Sequence, residues 1–547
     1  MFRCQDLPRE IAAPIKVPTR KNKCGICHGL GHNKKNYPAS TQPVVGKDGK
    51  ESRKRKFTPK MAELVEPQLD TVDSDIEEGS SVGTIGSMDS AEDVAAEQNL
   101  NDLVWDECIN CEAAVDEDGD EVLPPIDFLV EKKGPVKEMF TNITDPLNFV
   151  AQFNFYWKIP MCQQMISSTN SYGETNIKGW KKLGPSEFLA FLGVITYMGI
   201  VTYTSRKAYW QHGIKGCEYI KRIMSRDRFQ QICRAWHYEK QDQFTQDELK
   251  ALRKKDPFWA IKSFCNELSE NYDAAWTPGQ NIDIDEQCIP WKGRHKCRTY
   301  NPNKPVKWHF KVLSLNCSAT AYQSAFYLYQ GKAEQRPAGI TATAYPAHQL
   351  LQNPKYHNKG YILYTDNWFT SFQQLQICNA RGIEMVGTIK ANRGGIPDTF
   401  KIKGCKKQVR VRGEHVSKKT VYANKLVYFT CWLDKKPVQV LHTIPTAVGT
   451  CRRLVSQGEG NWTRKTFTRP TIINQYNKGM GGTDSGDQRI ASYRSVLKTN
   501  SWIPRCFSHC LNSALVNLWI LLSITGCQAF QKAISSLGRW WLNSSVR

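Results

Sequence analysis

Asn281-Ile282-Asp283-Ile284-Asp285-Glu286-Gln287-Cys288 alternates β-favouring residues with acids and reads as a strand. Side chains on a strand repeat every two residues, so Asp283 and Asp285 share one face and Glu286 points the other way. A carboxylate on a strand that otherwise looks like sheet core is costly unless it is paired or binds a cation. The next run, Pro290-Trp291-Lys292-Gly293-Arg294-His295-Lys296-Cys297-Arg298, is basic and aromatic. Acid on a rigid strand followed by base in a loop suits a metal-dependent enzyme acting on a polyanion. An acidic strand end beside a solvated basic loop fits the same residues.

Charge is unevenly spread. Between Met61 and Glu131 there are 22 Asp and Glu and no Lys or Arg. Removing those 22 from the 52 acids leaves 30 against 74 bases, an excess of 44 positive charges on the rest of the chain. Such an excess points to nucleic acid, with an attached acidic segment able to compete for the same surface. An anionic membrane is the weaker partner, because the bases are not gathered on one amphipathic helix. The 19 cysteines are scattered, and no secretory leader pattern opens the sequence, which predicts free thiols or metal ligands rather than disulfides. The apolar run from Cys506 to Cys527 contains His509, Asn512 and Asn517 and is expected to be a buried helix, not a membrane span.

In chain order, residues 1–60 form a basic, disordered arm. Within it, 24–37 has the spacing of a zinc knuckle, a small nucleic-acid-binding module. Cys24, Cys27 and His32 match as ligands, but Tyr37 takes the fourth place and His28 is a strained substitute, so a decayed Zn²⁺ site is expected. Ser52-Arg53-Lys54-Arg55-Lys56 suits nuclear import. Residues 61–137 read as an acidic disordered linker, in which Cys108 and Cys111 are incidental. Residues 138–275 read as mostly helical, with helices over 185–199, from Met224 and over 256–272. Strands follow at 307–314, 324–329, 360–365 and 386–390, with a helix at 365–380 after Asp366-Asn367. From 392 to 470 short strands, including 409–412, 426–432 and 438–441, suggest a small all-β unit rich in Lys and Arg. Residues 475–525 return to helix.

Strand-borne acids recur. Asp366 ends the apolar run Tyr361-Ile362-Leu363-Tyr364-Thr365, and Asp484 and Asp487 lie three apart at a helix start, on one face. Hard oxygen ligands from separate rigid elements are what a catalytic pair of Mg²⁺ or Mn²⁺ ions needs. Asp366 and Asp484 would serve equally as helix caps.

These residues resemble a piggyBac-type transposase over roughly 140–525. The matches run in order. They include Thr169-Asn170 with Tyr172, Phe191-Leu192-Gly193, Tyr209-Trp210, Arg228-Phe229, Ile284-Asp285-Glu286, Lys292-Gly293-Arg294 and Tyr300-Asn301-Pro302-Asn303-Lys304-Pro305. Asp366-Asn367-Trp368-Phe369-Thr370-Ser371, Gly387-Thr388, Asn392-Arg393, Tyr476-Asn477, Met480-Gly481-Gly482, Asp484 and Asp487-Gln488 continue the series. The resemblance implies an α/β fold with an RNase H-like catalytic core at 276–391 and 471–490. It implies a β-rich insertion at 392–470 and a mostly helical dimerisation and DNA-binding domain at 138–275 and 491–530. It implies Asp285, Asp366 and Asp484 as catalytic triad, with Asp487 beside the metals, and it leaves Asp283 as a polar residue of the strand face. The implied reaction is cut-and-paste transposition: strand cleavage, hairpin formation and joining at TTAA by a nuclear homodimer on double-stranded DNA.

Lys292, Arg294, Lys296, Arg298, Lys304, Lys307 and Arg393 are expected on DNA phosphates; a solvated basic face is the plainer alternative for each. Many family members carry a cysteine-rich zinc module at the C-terminal end, whereas 531–547 shows no match. That difference keeps a second expectation open, a host-adopted, catalytically silent protein that binds DNA or chromatin. A third, an RNA-binding structural protein, rests only on the knuckle.

Overall fold

The computed structural model describes residues 100, 103–108, 114–115, 121–122, 126–130, 132–136, 156–213, 216–401, 405–458, 461–492, 494–495 and 501–524. The knuckle residues Cys24, Cys27 and His32, the basic run 52–56 and the tail 531–547 lie outside the described residues.

A mixed sheet of ten strands organises the fold. Strand β1 is Asp106–Glu107, β2 Asn281–Pro290, β3 Trp308–Cys317, β4 Gln323–Leu328, β5 Ile362–Thr365 and β6 Glu384–Thr388. Then come β7 His415–Tyr422, β8 Lys425–Leu433 and β9 Pro437–His442. The order across the sheet is β1-β7-β8-β9-β6-β5-β2-β3, with β4 and the short Thr299–Tyr300 strand both on β3. Strands β2, β3 and β4 form an antiparallel meander. β5 runs parallel to β2, and β6 parallel to β5. Parallel neighbours need a crossover, and helix α5 (Phe372–Ala380) supplies the one between β5 and β6.

The helices that frame the site are α1 (Ile159–Asn176), α2 (Pro185–Ile200), α3 (Arg226–Ala235), α4 (Trp259–Ala275), α5, α6 (Thr471–Gly479), α7 (Gly482–Ser492) and α8 (Ile503–Ile524); Gln246–Lys255 and three shorter helices are among the rest. Pro185 fits the first position of α2, where its missing N–H costs nothing, and Ser225 Oγ caps α3 by accepting from Arg228 N. Strand β3 is buried on both faces. Phe310 and Val312 meet the core formed by α1–α4 and α8, while Leu313 and Leu315 meet the core under α5. Helix α8 is long and apolar enough to cross a membrane by composition, yet it is mostly buried inside the protein. Asn517 within it acts as a backbone mimic: its side chain accepts from Gln323 N and donates to Gln323 O, both at 2.9 Å, closing the open start of β4.

Four expectations need correction. The linker 61–137 is ordered in part, because Leu103 and Trp105 are apolar anchors within an acidic run. Trp105 packs edge-on against Phe372 and Phe429 and donates to Gly395 O at 2.9 Å, and β1 adds to β7 opposite Lys418 and Lys419. The strands at 415–442 do not stand apart as a small β unit; β9 pairs with β6 and extends the central sheet. Residues 409–412 form no strand. Val409 is buried, and the backbone N–H groups of Arg410 and Val411 both donate to the Glu414 carboxylate, which makes a turn. Helix α5 also starts later than 365, at Phe372 behind the Ser371 cap, because Asp366 is used in the turn after β5.

Trp157 joins the flanking helices: its ring lies 5.4 Å from Phe264 of α4 and 5.3 Å from Phe507 of α8. Trp157→Ala should lower unfolding free energy by ~3–5 kcal/mol, read from denaturant midpoints. A loss below ~1 kcal/mol would mean that the two helices hold together without it.

Candidate active site

The parallel register puts Ile284 of β2 beside Thr365 of β5. Asp285, midway along β2, and Asp366, the first residue past the end of β5, are the next residues on each, so they lie side by side on neighbouring strands. Adjacent strands lie ~4.8 Å apart. Burial, then the Asp366 charge, pushes the Asp285 carboxyl up to about 8. Burial also raises Asp366 above the usual carboxylate range. Asp285 accepts from Glu286 N at 2.7 Å and Asp366 from Trp368 N at 2.8 Å.

Asp484 sits in the first turn of α7 and is exposed, with Asp487 one turn on. Burial and the Asp484 charge push Asp487 up to about 7, against the pull of Arg494, Lys304 and a hydrogen bond from Gln287. Both Asp484 and Asp366 raise Asp285 electrostatically, so the three strand and helix acids face a common region. Among the described residues no three His, Cys, Asp or Glu side chains already close into a metal cage. The acids form an open, oxygen-only set, the donor chemistry that suits a hard divalent cation with water and phosphate completing its shell.

Asp283 is what brings α7 there. It is fully buried, and its carboxylate accepts from Thr483 N at 2.9 Å and Thr483 Oγ1 at 2.7 Å. Burial pushes it up to about 7 despite these bonds. Ser318 Oγ, 2.5 Å from Gly479 O and 3.4 Å from Asp283 Oδ1, ties the end of α6 to the same place. Gly482 is required, since a Cβ there would run into the Asp283 carboxylate. Sequence reasoning set Asp283 aside. The signal for its role was a buried-face acid together with a Gly-Gly-Thr helix start.

Glu286, on the opposite face, holds Lys311 at 2.6 Å and Lys304 at 3.6 Å. Burial alone would raise Glu286, but the two lysines outweigh it and hold it below the usual range. Lys311 lies over the Trp368 ring at 5.2 Å, beside the second acid. Lys311 escaped the sequence reading; only its place on β3 opposite Cys288, one residue beyond Gln287, could have flagged it.

The expected phosphate contacts divide. Lys292, Arg294, Lys296 and Lys307 are exposed, and Lys304 faces the acids. Arg298 stacks on Trp308 at 4.1 Å and donates to Lys292 O and Gly293 O, so it braces the loop. Arg393 is a correction: only 3% exposed, it donates to Trp368 O at 2.9 Å and secures the turn after Asp366 instead of reaching solvent. The loop is further pinned by His295, whose Nε2 lies 3.1 Å from Pro257 O and whose ring packs on Phe258 and Trp502.

Carboxyls whose folded pKa is raised stabilise the fold at low pH and lose that contribution as pH rises through the folded value. In chelator-treated protein the melting temperature should therefore fall as pH rises toward 8, and between pH 7 and 8, where the buried His295, His442 and His509 are neutral in both states, the remaining fall belongs mainly to Asp285. Asp285→Asn should flatten that fall and melt above wild type at pH 8.5; parallel pH profiles would refute the electrostatic account. Thr483→Val, which keeps shape but removes the hydroxyl donor to Asp283, should cost ~1–3 kcal/mol, and an unchanged denaturation midpoint would count against the latch.

A family model described as Transposase IS4 matches residues 151–519. PiggyBac transposable element-derived protein 3 from Homo sapiens is 25% identical over 354 residues, 62% of this chain and 55% of that protein. PiggyBac transposable element-derived protein 2, also human, is 22% identical over 384 residues, 67% of this chain and 61% of that protein. The chain thus spans little more than half the length of these relatives. A solved piggyBac transposase synaptic complex with hairpin DNA superposes with a TM-score of 0.62 at 22% identity, over 76% of this chain and 83% of that one. The family model covers well over half of the sequence, and the chain belongs to the piggyBac-type transposase family.

Proposed function

We propose that the chain is a metal-dependent cut-and-paste DNA transposase with an RNase H-like core. The observation that carries this reading is the placement of Asp285, midway along β2, beside Asp366 at the end of its parallel neighbour, with Asp484 delivered by a helix latched to the same strand. The strand order β4-β3-β2-β5-β6, a meander followed by two parallel additions, supports the RNase H-like assignment. Asp285, Asp366 and Asp484 would hold two Mg²⁺ or Mn²⁺ ions, with Asp487 beside them. Such a pair supplies Lewis-acid stabilisation of the attacking and leaving oxygens of an in-line displacement.

This chain's own residues do the rest. Asp285 and Asp366, held by backbone N–H groups, present fixed oxygens. Glu286 occupies Lys311 and shares Lys304 with the acid face, which limits how far those cations neutralise the acids. The exposed Lys292, Arg294, Lys296 and Lys307 would meet DNA phosphates. Water attacks the phosphorus at the element's end and a 3′-oxygen leaves with a proton. The freed 3′-OH then displaces an oxygen on the opposite strand to close a hairpin, which is opened before the ends join at TTAA. The working form is taken to be a nuclear homodimer on double-stranded DNA. A host-adopted, silent DNA- or chromatin-binding protein is the second reading, favoured by relatives whose names describe them as transposable element-derived.

The test is excision from a donor plasmid carrying the element's own ends. Wild type should excise in Mg²⁺ or Mn²⁺. Asp366→Asn should lose more than the ~10–100-fold that removing a mere supporting residue costs. A wild type that leaves the plasmid intact in both metals would hand the case to the silent reading.

A further inference from the structure

Between β9 and α6 the chain runs out and back as a two-stranded ribbon, β10 (Val448–Gly458) and β11 (Asn461–Pro470), paired from Val448↔Pro470 to Gly458↔Asn461. It belongs to no larger sheet. At ~3.3–3.4 Å per residue the ribbon reaches ~30 Å from its root. Its two faces differ. One carries Gly449, Cys451, Arg453 and Val455 opposite Arg469, Phe467, Lys465 and Thr463; near the root Cys451 is buried and Arg453 reaches Asp434 at 3.4 Å. The other carries Val448, Thr450, Arg452, Leu454 and Ser456 opposite Pro470, Thr468, Thr466, Arg464 and Trp462, and every one of these but Pro470, at the root, is exposed. Leu454 is 54% and Trp462 60% exposed. The described residues of the ribbon include five bases, Arg452, Arg453, Arg464, Lys465 and Arg469, and no acid. Arg452 and Arg464 form no ion pair among the described residues.

An outward strand face made of two arginines, hydroxyls, Val448, Leu454 and a bare tryptophan, with no acid among its described residues, is built for a polyanion rather than for another protein core. Its cross-section fits one polyanion in particular. The major groove of B-DNA is ~12 Å wide and admits a two-stranded ribbon. We propose that this face is a contact surface for double-stranded DNA, lying in the major groove with Arg452 and Arg464 on phosphates. The inference rests on the DNA reading above for its partner, not on catalysis, and nothing in the active site requires it. Trp462 sits opposite Ser456 close to the far end, where an aromatic face meets sugar or base edge.

Each phosphate neutralised contributes ~0.9 to the slope of log affinity against log salt. Fluorescence anisotropy of the full chain on a 30-base-pair duplex of arbitrary sequence, titrated from 50 to 200 mM salt, reads this directly. Arg452→Ala with Arg464→Ala should weaken binding and lower the slope by ~1.8. Lys407→Ala with Lys419→Ala, an equal loss of exposed charge outside both the ribbon and the helical domain, should leave the slope within ~0.5 of wild type. Because both arginines are exposed, melting temperatures should match wild type. Equal affinity and slope in the ribbon variant, or an equal loss in the lysine control, would overturn the proposal. So would a change in oligomeric mass by light scattering with duplex affinity intact, which would assign the face to a second copy. Ribbon-dependent duplex binding by a protein that excises nothing would sink the transposase reading and leave this one standing. Excision by wild type alongside an unaltered ribbon variant would do the reverse.

Discussion

A carboxylate with no exposed surface must find donors or lose its charge, and Asp283 finds them on helix α7. Thr483 gives it both a backbone N–H and a hydroxyl, and Gly482 lets the helix start come close enough for both. That contact joins residues 200 positions apart in sequence and sets where Asp484 can be. A helix N-terminus also favours negative charge, so the same carboxylate satisfies two orphan needs of α7 at once. Its raised pKa shows that burial still outweighs the donors. The latch is therefore strongest for a site whose surroundings supply more positive charge than the bare protein does.

The alternation of Asn281–Cys288 was enough to predict a strand with Asp283 and Asp285 on one face, and β2 is that strand. Helix α2 was legible from Pro185 onward, and α8 from its polar residues, which would be stranded in lipid and here are buried among helices. What period and propensity could not supply is partnership. Nothing local in Ile362–Thr365 says that it lies parallel to β2, since that pairing is decided by the crossover and by packing across the whole sheet. Nor does a run such as Val409–Arg412 reveal that Glu414 will fold it into a turn. Arg393 looked like any other base in a polar loop; its burial depends on Trp368, which is brought near only by the turn after β5.

Charge follows the same pattern. Glu286 is one residue from Asp285, yet strand geometry sends it to the opposite face, where it binds Lys311 and Lys304. The consequence is a division of labour across one strand. One face is a satisfied ion-pair network. The other is a group of acids in which Asp366 and Asp484 raise Asp285 and Asp484 raises Asp487, opposed by Lys304 and Arg494 from outside the sheet. Replacing Glu286 by a neutral residue would release two lysines close to Asp285 and Asp366, and the acid face would then be partly neutralised from within. Glu286 thus keeps the site open without touching it.

The ribbon raises a mechanical question, because it is inserted directly before α6 and α7. Any force along it would act on the helix that carries Asp484 unless the root were closed. The root is closed. Thr471 N donates to Ala447 O at 3.0 Å, Ala447 N to Thr471 Oγ1 at 2.8 Å, and Ile472 N to Thr446 Oγ1 at 3.2 Å. Trp432 of β8 adds a bond from its Nε1 to Thr468 O at 2.8 Å. Above that girdle the ribbon is exposed on its outward face. Below it, Ile472 and Ile473 pack with Tyr364 and Val386 against the sheet. The sheet, through this girdle and through Asp283, fixes α6 and α7, and the ribbon is left to bend against whatever it touches without displacing the third acid.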